Sequence, residues 1–176
     1  MIARRWTAFG ILAAIVALAS TVAYPISGRA AVAPNELALG RALVAYGACN
    51  DCHSPGWRES DGTLPVAAWM VGSSIGFRGP WGTVYPANVR LEFQRIEESE
   101  WLAMVRLRGG HPPMLWHDLR ALNGGQLRAI YRFVRGLGAA GTPAPAGVPP
   151  DLEPKTRYYD VTPRSPAADP GSPAVR

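Results

Sequence analysis

The sequence predicts an all-α domain in which three to four short helices are joined by long loops. Three segments place apolar residues at helical spacing, whereas the longest stretch between them is rich in glycine and proline and predicts a loop. Cysteine occurs at only two positions, both within the pentapeptide Cys49-Asn50-Asp51-Cys52-His53. The helical segments therefore indicate the fold class, and the pentapeptide is the main indication of function.

The first predicted helix covers residues 35–46, with Asn35 as its N-cap. Gly40 lies inside this helix, where glycine costs about 1 kcal/mol relative to alanine. Either a second helix approaches closely at this point or the glycine is incidental. The residues with helical spacing are Leu39, Leu43 and Tyr46.

The pentapeptide has the spacing of a covalent haem attachment site. Cys49 and Cys52 project from one face of a helical turn, so that both thiols can add to the vinyl groups on one edge of a porphyrin. His53 follows directly and brings its imidazole under the tethered ring, where one nitrogen can bind the iron. The sequence therefore predicts one covalently attached haem c, with His53 as a ligand of its iron.

Other uses of the two cysteines explain the motif less well. A structural zinc site usually has four Cys or His ligands, and the remaining histidines, His111 and His117, are distant and lack finger-like spacing. A thioredoxin-like dithiol follows a strand in a βαβ unit, which is not the pattern here. A disulfide across so short a loop gives no reason for the histidine.

Residues 54–94 predict a long loop, because glycine and proline interrupt the segment too often for long regular structure. A loop of this length in a small domain usually has a function or wraps a bound group, and a haem is a large apolar object. The aromatic residues that would anchor the loop are Trp57, Trp69, Phe77, Trp81 and Tyr85.

Two further helices follow the loop. The first covers residues 97–107 and carries glutamates in its first turn, where they favour a helix N-terminus. The second begins at Asn123, which forms a capping-box pattern with Gln126, and is ended by Gly136 and Gly138. The buried faces comprise Trp101, Met104 and Val105 in the first of these helices, and Leu127, Ile130, Tyr131, Val134 and Leu137 in the second.

The chain is predicted to have three parts. Residues 1–30 form a signal peptide or an N-terminal membrane anchor, and the apolar stretch 6–24 would hold the protein at the membrane if it is not removed. Residues 34–138 form one domain, in which the haem pocket is complete. Residues 139–176 contain nine prolines and form an extended tail, which is either disordered or lies along the domain surface. The domain is expected to be periplasmic or otherwise extracytoplasmic.

The charge of the chain gives no support for nucleic-acid binding. The formal net charge is +5, but Arg4, Arg5 and Arg29 lie in the leader, and the rest carries 15 basic against 13 acidic residues. A nearly neutral domain lacks the basic surface that a nucleic-acid backbone requires.

A second iron ligand decides between electron transfer and the binding of small molecules. Met114 follows Pro112 and Pro113, which stiffen the chain and can hold a thioether over a ring. His111 is the competing ligand in the same segment. The other candidates are explained by packing or are less well placed, and they are Met70, Met104 and His117.

Several stretches resemble class I cytochrome c. They are the first helix, the pentapeptide, Trp81-Gly82-Thr83-Val84-Tyr85-Pro86-Ala87-Asn88, Pro112-Pro113-Met114-Leu115-Trp116 and the last helix. The chain is most similar to the mono-haem domains found in cytochrome subunits of periplasmic dehydrogenases, over roughly residues 35–138.

The resemblance implies the class I cytochrome c fold, with His53 and Met114 as the axial ligands. It also implies that Tyr85, Asn88 and Trp116 lie near the haem edge, where they bond propionates or serve as ordinary loop packing. One departure is Leu115, because the related subunits usually have proline directly after the ligand methionine.

Two contacts are expected on the same basis. The first and last helices of the family cross at a contact between a glycine and an aromatic residue, which would pair Gly40 with Tyr131. A backbone carbonyl should orient His53 through its second ring nitrogen, with Pro65 as the expected acceptor and Pro55 as the alternative.

The predicted function is that of an exported mono-haem c-type cytochrome that carries single electrons between redox proteins. Its donor would be a dehydrogenase, and its acceptor an oxidase or another cytochrome. It is an electron-transfer protein and not an enzyme. The alternatives are an electron-accepting cytochrome subunit of a periplasmic dehydrogenase complex, and a haem-based gas sensor if Met114 is not a stable ligand.

Overall fold

A computed structural model describes residues 33–163 of the chain. The predicted signal peptide or anchor, residues 1–30, and the tail beyond residue 163 lie outside the described residues. The α-helices are α1 Pro34–Tyr46, α2 Cys49–His53, α3 Val89–Arg95, α4 Glu98–Leu107, α5 Trp116–Ala121 and α6 Gly124–Gly136. The strands are β1 Gly76–Gly79, β2 Gly82–Val84 and β3 Tyr158–Asp160, and a 3₁₀ turn covers Val66–Ala68.

The prediction of an all-α, class I cytochrome c fold is wrong, because six helices accompany a three-stranded mixed sheet. The strand order is β2-β1-β3, with β1 antiparallel to β2 and parallel to β3. Phe77 lies opposite Val84 on one side and Tyr159 on the other. Strands of three or four residues are too short to show an alternating pattern, and the third strand comes from the proline-rich segment.

The predicted helices are largely confirmed. The segments 35–46 and 97–107 correspond to α1 and α4, and Asn123 and Gln126 form the expected reciprocal capping box of α6. The N-cap of α1 is Ala33, not Asn35. The reason is Pro34, whose fixed φ and missing N–H suit the first helical position.

The close crossing of α1 and α6 explains Gly40. A Cβ at this position would lie 2.1 Å from the carbonyl oxygen of Ala129 and 2.6 Å from Cβ of Phe133. The expected pairing of Gly40 with Tyr131 is therefore wrong, although the close approach itself is present. Tyr131 lies on another side of α6, where its ring packs 4.8 Å from that of Phe93.

The segment after α6 returns to the sheet. Thr83 and Val148 exchange two backbone hydrogen bonds, of 2.7 and 2.9 Å. The guanidinium of Arg78 donates to the carbonyl oxygen of Leu152 at 2.9 Å and to that of Pro150 at 3.2 Å. Residues 139–163 therefore lie along the domain surface, which was one of the two expectations for the tail.

No helix within residues 33–163 is long and apolar enough to cross a membrane.

Candidate functional site

The pentapeptide forms the short helix α2, directly after α1. Ala48 adopts a left-handed conformation with φ 56°, which turns the chain between the two helices. Cys49 and Cys52 are half-buried and are not joined by a disulfide. The two thiols thus lie three positions apart on one helical turn, as the attachment chemistry requires.

The surroundings of the two thiols favour their protonated form. Burial raises the pKa of Cys49 to about 11, and burial also raises the pKa of Cys52. Thiol–disulfide oxidoreductases depend on a cysteine whose pKa is lowered, since the thiolate is the reactive form. The environment of α2 therefore disfavours the dithiol alternative.

One nitrogen of His53 is already engaged within the protein. Its Nδ1 lies 2.8 Å from the carbonyl oxygen of Ala87, which can only accept, so Nδ1 carries the proton and donates. The remaining nitrogen, Nε2, keeps the lone pair that a metal ligand needs. Burial lowers the pKa of His53, and the hydrogen bond to Ala87 acts in the opposite direction.

The expected acceptor for His53 was Pro65 or Pro55, and both assignments are wrong. Ala87 is 34 residues away from His53 in the sequence, in the loop just before α3. Any residue can supply a backbone carbonyl, so the side chain of Ala87 gives no indication of this role. In the sequence, only the resemblance of the stretch 81–88 pointed to this region.

Two backbone N–H groups of one loop hold the end of α2 in place. The backbone N–H of Gly72 donates to the carbonyl oxygen of His53 at 2.9 Å, and that of Met70 donates to Oγ of Ser54 at 2.7 Å. Gly72 has φ +78°, and a Cβ there would lie 2.7 Å from the backbone nitrogen of Asn88. Only glycine allows the chain at Gly72 to pass so close to the segment that carries the acceptor of His53.

The competing sixth ligands lie together between α4 and α5. The side chain of Met114 is 37% exposed, and its carbonyl oxygen accepts from the N–H of Trp116. The His111 ring stacks on Trp81, with ring centroids 5.7 Å apart and planes within 6°. Met104 packs against the core, as predicted, and Met70 is buried with φ 62°.

The predicted haem-edge residues have partners in the protein. The hydroxyl of Tyr85 lies 2.7 Å from Oγ1 of Thr156. Oδ1 of Asn88 accepts from the N–H of Leu91 and thereby caps α3. Trp116 is half-buried beneath the guanidinium of Arg108, which lies 5.5 Å from the ring centre.

The donor set of α2 fits a haem c. It offers two thiols on one turn and a histidine whose Nε2 keeps its lone pair. Trp81 was not predicted as a site residue, yet its indole N–H is buried and has no acceptor among residues 33–163. A carboxylate of a bound group, such as a haem propionate, would supply one. Within the same residues, no group of three or more His, Cys, Asp or Glu side chains could hold a metal ion.

Comparison with known proteins gives no family model, curated relative or solved structure that matches this chain.

Proposed function

We propose that this protein is an exported mono-haem c-type cytochrome that carries single electrons between redox partners. The observation that supports the proposal most strongly is the state of His53. Within a Cys-x-x-Cys-His turn, the Ala87 carbonyl orients the imidazole and leaves on Nε2 the lone pair that would bind an iron.

Each residue has a defined part in this proposal. Cys49 and Cys52 would hold the haem through thioether bonds, and His53 and Met114 would be the ligands of its iron. The haem would supply an iron that alternates between its oxidised and reduced forms. With two ligands from the protein, no position on the iron would be open to a small molecule, and a methionine ligand would raise the reduction potential relative to a second histidine.

The proposal includes the cellular context that the leader indicates. The domain works outside the cytoplasm, either released or held at the membrane by residues 6–24. Its partners are redox proteins, with a dehydrogenase as donor and an oxidase or a second cytochrome as acceptor. No reaction of a substrate with the protein's own side chains is required.

A redox titration separates the electron carrier from the gas sensor. We expect the purified protein to show one reversible wave with the slope of a one-electron couple. We also expect its reduced form to leave carbon monoxide unbound, because both axial positions are filled by the protein. Carbon monoxide binding by the unmodified reduced protein would contradict the carrier proposal and support the sensor.

A further inference from the structure

The segment after α6 contacts the loop that holds His53. We infer that Asn88 is a positioning residue, through which the C-terminal segment, residues 139–163, fixes the Ala87 carbonyl and with it the His53 ring. The spectroscopic part of this inference rests on the proposed function.

Asn88 uses both ends of its side-chain amide. The side chain is buried, at 3% exposure, and its Oδ1 accepts from the N–H of Leu91 at 3.1 Å. Its Nδ2 donates to the carbonyl oxygen of Ala140 at 2.8 Å and to that of Thr142 at 3.1 Å. The residue next to Ala87 is therefore fixed from α3 on one side and from the C-terminal segment on the other.

The C-terminal segment passes directly over this amide. Gly141 lies between the two acceptor residues and has φ +72°. A Cβ at Gly141 would lie 3.1 Å from Nδ2 of Asn88 and 3.3 Å from Cβ of Val71. A side chain at Gly141 would therefore press on the Asn88 amide, at a backbone angle that favours glycine.

The rest of the segment is anchored to the hairpin of β1 and β2 and to Tyr85, which precede this loop in the sequence. Val148 pairs with Thr83, Thr156 meets the hydroxyl of Tyr85, and β3 pairs with β1. The partners of the segment in these contacts all lie within residues 76–85. Several separate contacts therefore fix the position of the segment over Asn88.

The geometry at Ala87 affects the electronic properties of His53. A hydrogen bond from Nδ1 to a carbonyl makes the opposite nitrogen a stronger donor, which favours oxidised iron. If Asn88 loses its contacts, the Ala87 carbonyl is held less firmly and this hydrogen bond weakens. We therefore expect the reduction potential to move to more positive values.

Two pairs of matched variants test the inference in the full chain. Asn88→Ser keeps an oxygen that can cap α3 and adds no charge, but its side chain is too short to reach both carbonyls; Asn123→Ser makes the same change at the cap of α6. Gly141→Ala presses a methyl group against the Asn88 amide. Gly138→Ala imposes a similar backbone strain, at φ +74°, in open space.

The expected result is a positive shift of potential in Asn88→Ser and Gly141→Ala, together with broadened or shifted His53 ring signals in NMR spectra. Asn123→Ser and Gly138→Ala should keep the wild-type potential, whatever their effect on stability. Wild-type values in Asn88→Ser and Gly141→Ala would overturn the inference. A shift in Asn88→Ser alone would also overturn it, because Asn88 would then act on the bound group without the C-terminal segment.

Failure of the proposed function is recognised separately, as a wild-type protein without covalent haem. In that case the ¹⁵N shifts of the His53 ring still report the tautomer. The inference then requires a fixed Nδ1–H form in the wild type and in the controls, and mixed tautomers in Asn88→Ser and Gly141→Ala. One tautomer pattern common to all five proteins would overturn it.

Discussion

The Met114→Ala variant is expected to lose the weak near-infrared sulfur-to-iron band of the oxidised protein and to bind carbon monoxide when reduced. Alanine has no atom that can reach the iron, so one axial position becomes available. Since Met114 lies in a turn and its side chain is 37% exposed, the substitution removes little packing, and the fold should persist. Absorption spectra before and after addition of the gas provide the measurement.

His111→Ala is the matched control, because His111 lies in the same segment and is the competing ligand. We expect this variant to keep the near-infrared band and to exclude carbon monoxide. The opposite pattern, with an unchanged spectrum in Met114→Ala and a changed one in His111→Ala, would contradict the assignment and make His111 the ligand.

The Arg90→Met variant is expected to lose about 3 kcal/mol of stability. Arg90 is only 5% exposed, and its guanidinium donates to the carbonyl oxygens of Ala67 and Gly138, both at 2.6 Å, and to that of Leu137. Methionine fills similar space but leaves these acceptors without their donor. Burial lowers the pKa of Arg90, which means that keeping the charge in the folded protein has a desolvation cost. Removing the charge also removes this cost, so the loss of folding stability is smaller than the sum of three separate hydrogen bonds.

Urea unfolding followed by tryptophan fluorescence measures this loss. Arg128→Met on the exposed side of α6 is the control, and we expect it to change the free energy of unfolding by less than about 0.5 kcal/mol. Equal stabilities of the two variants would show that the carbonyl contacts of Arg90 do not hold the end of α6 to the loop.

Helices with a clear apolar period and a cap could be predicted from the sequence. The capping box of Asn123 and Gln126 and the helix at 97–107 are local features, which depend on residues within a few positions of each other. The start of α1 was misplaced by two residues, because Asn35 and Pro34 are both start signals and the proline prevailed.

Long-range contacts could not be predicted in this way. Strand β3 lies among prolines and pairs with β1, about eighty residues earlier, and neither strand shows a period of its own. The acceptor of His53 is a backbone carbonyl, which any residue provides. The partners of Gly40 depend on the exact crossing of α1 and α6, and the amide of Asn88 is satisfied by carbonyls beyond residue 138.

The chemistry of the cysteine motif could be predicted from the sequence, because it depends on the spacing of three nearby residues. The haem that the motif is proposed to bind is not encoded in the chain. Spacing alone indicated two thiols and an imidazole on one turn, and α2 has that arrangement.

The central claim is tested most directly by the intact mass of the denatured protein after production together with the c-type haem attachment machinery. We predict a mass equal to that of the mature chain plus one haem, because two thioether bonds survive unfolding. The double variant Cys49→Ala/Cys52→Ala should have the mass of the chain alone. A wild-type protein with the bare mass of its chain, colourless under the same conditions, would contradict the account.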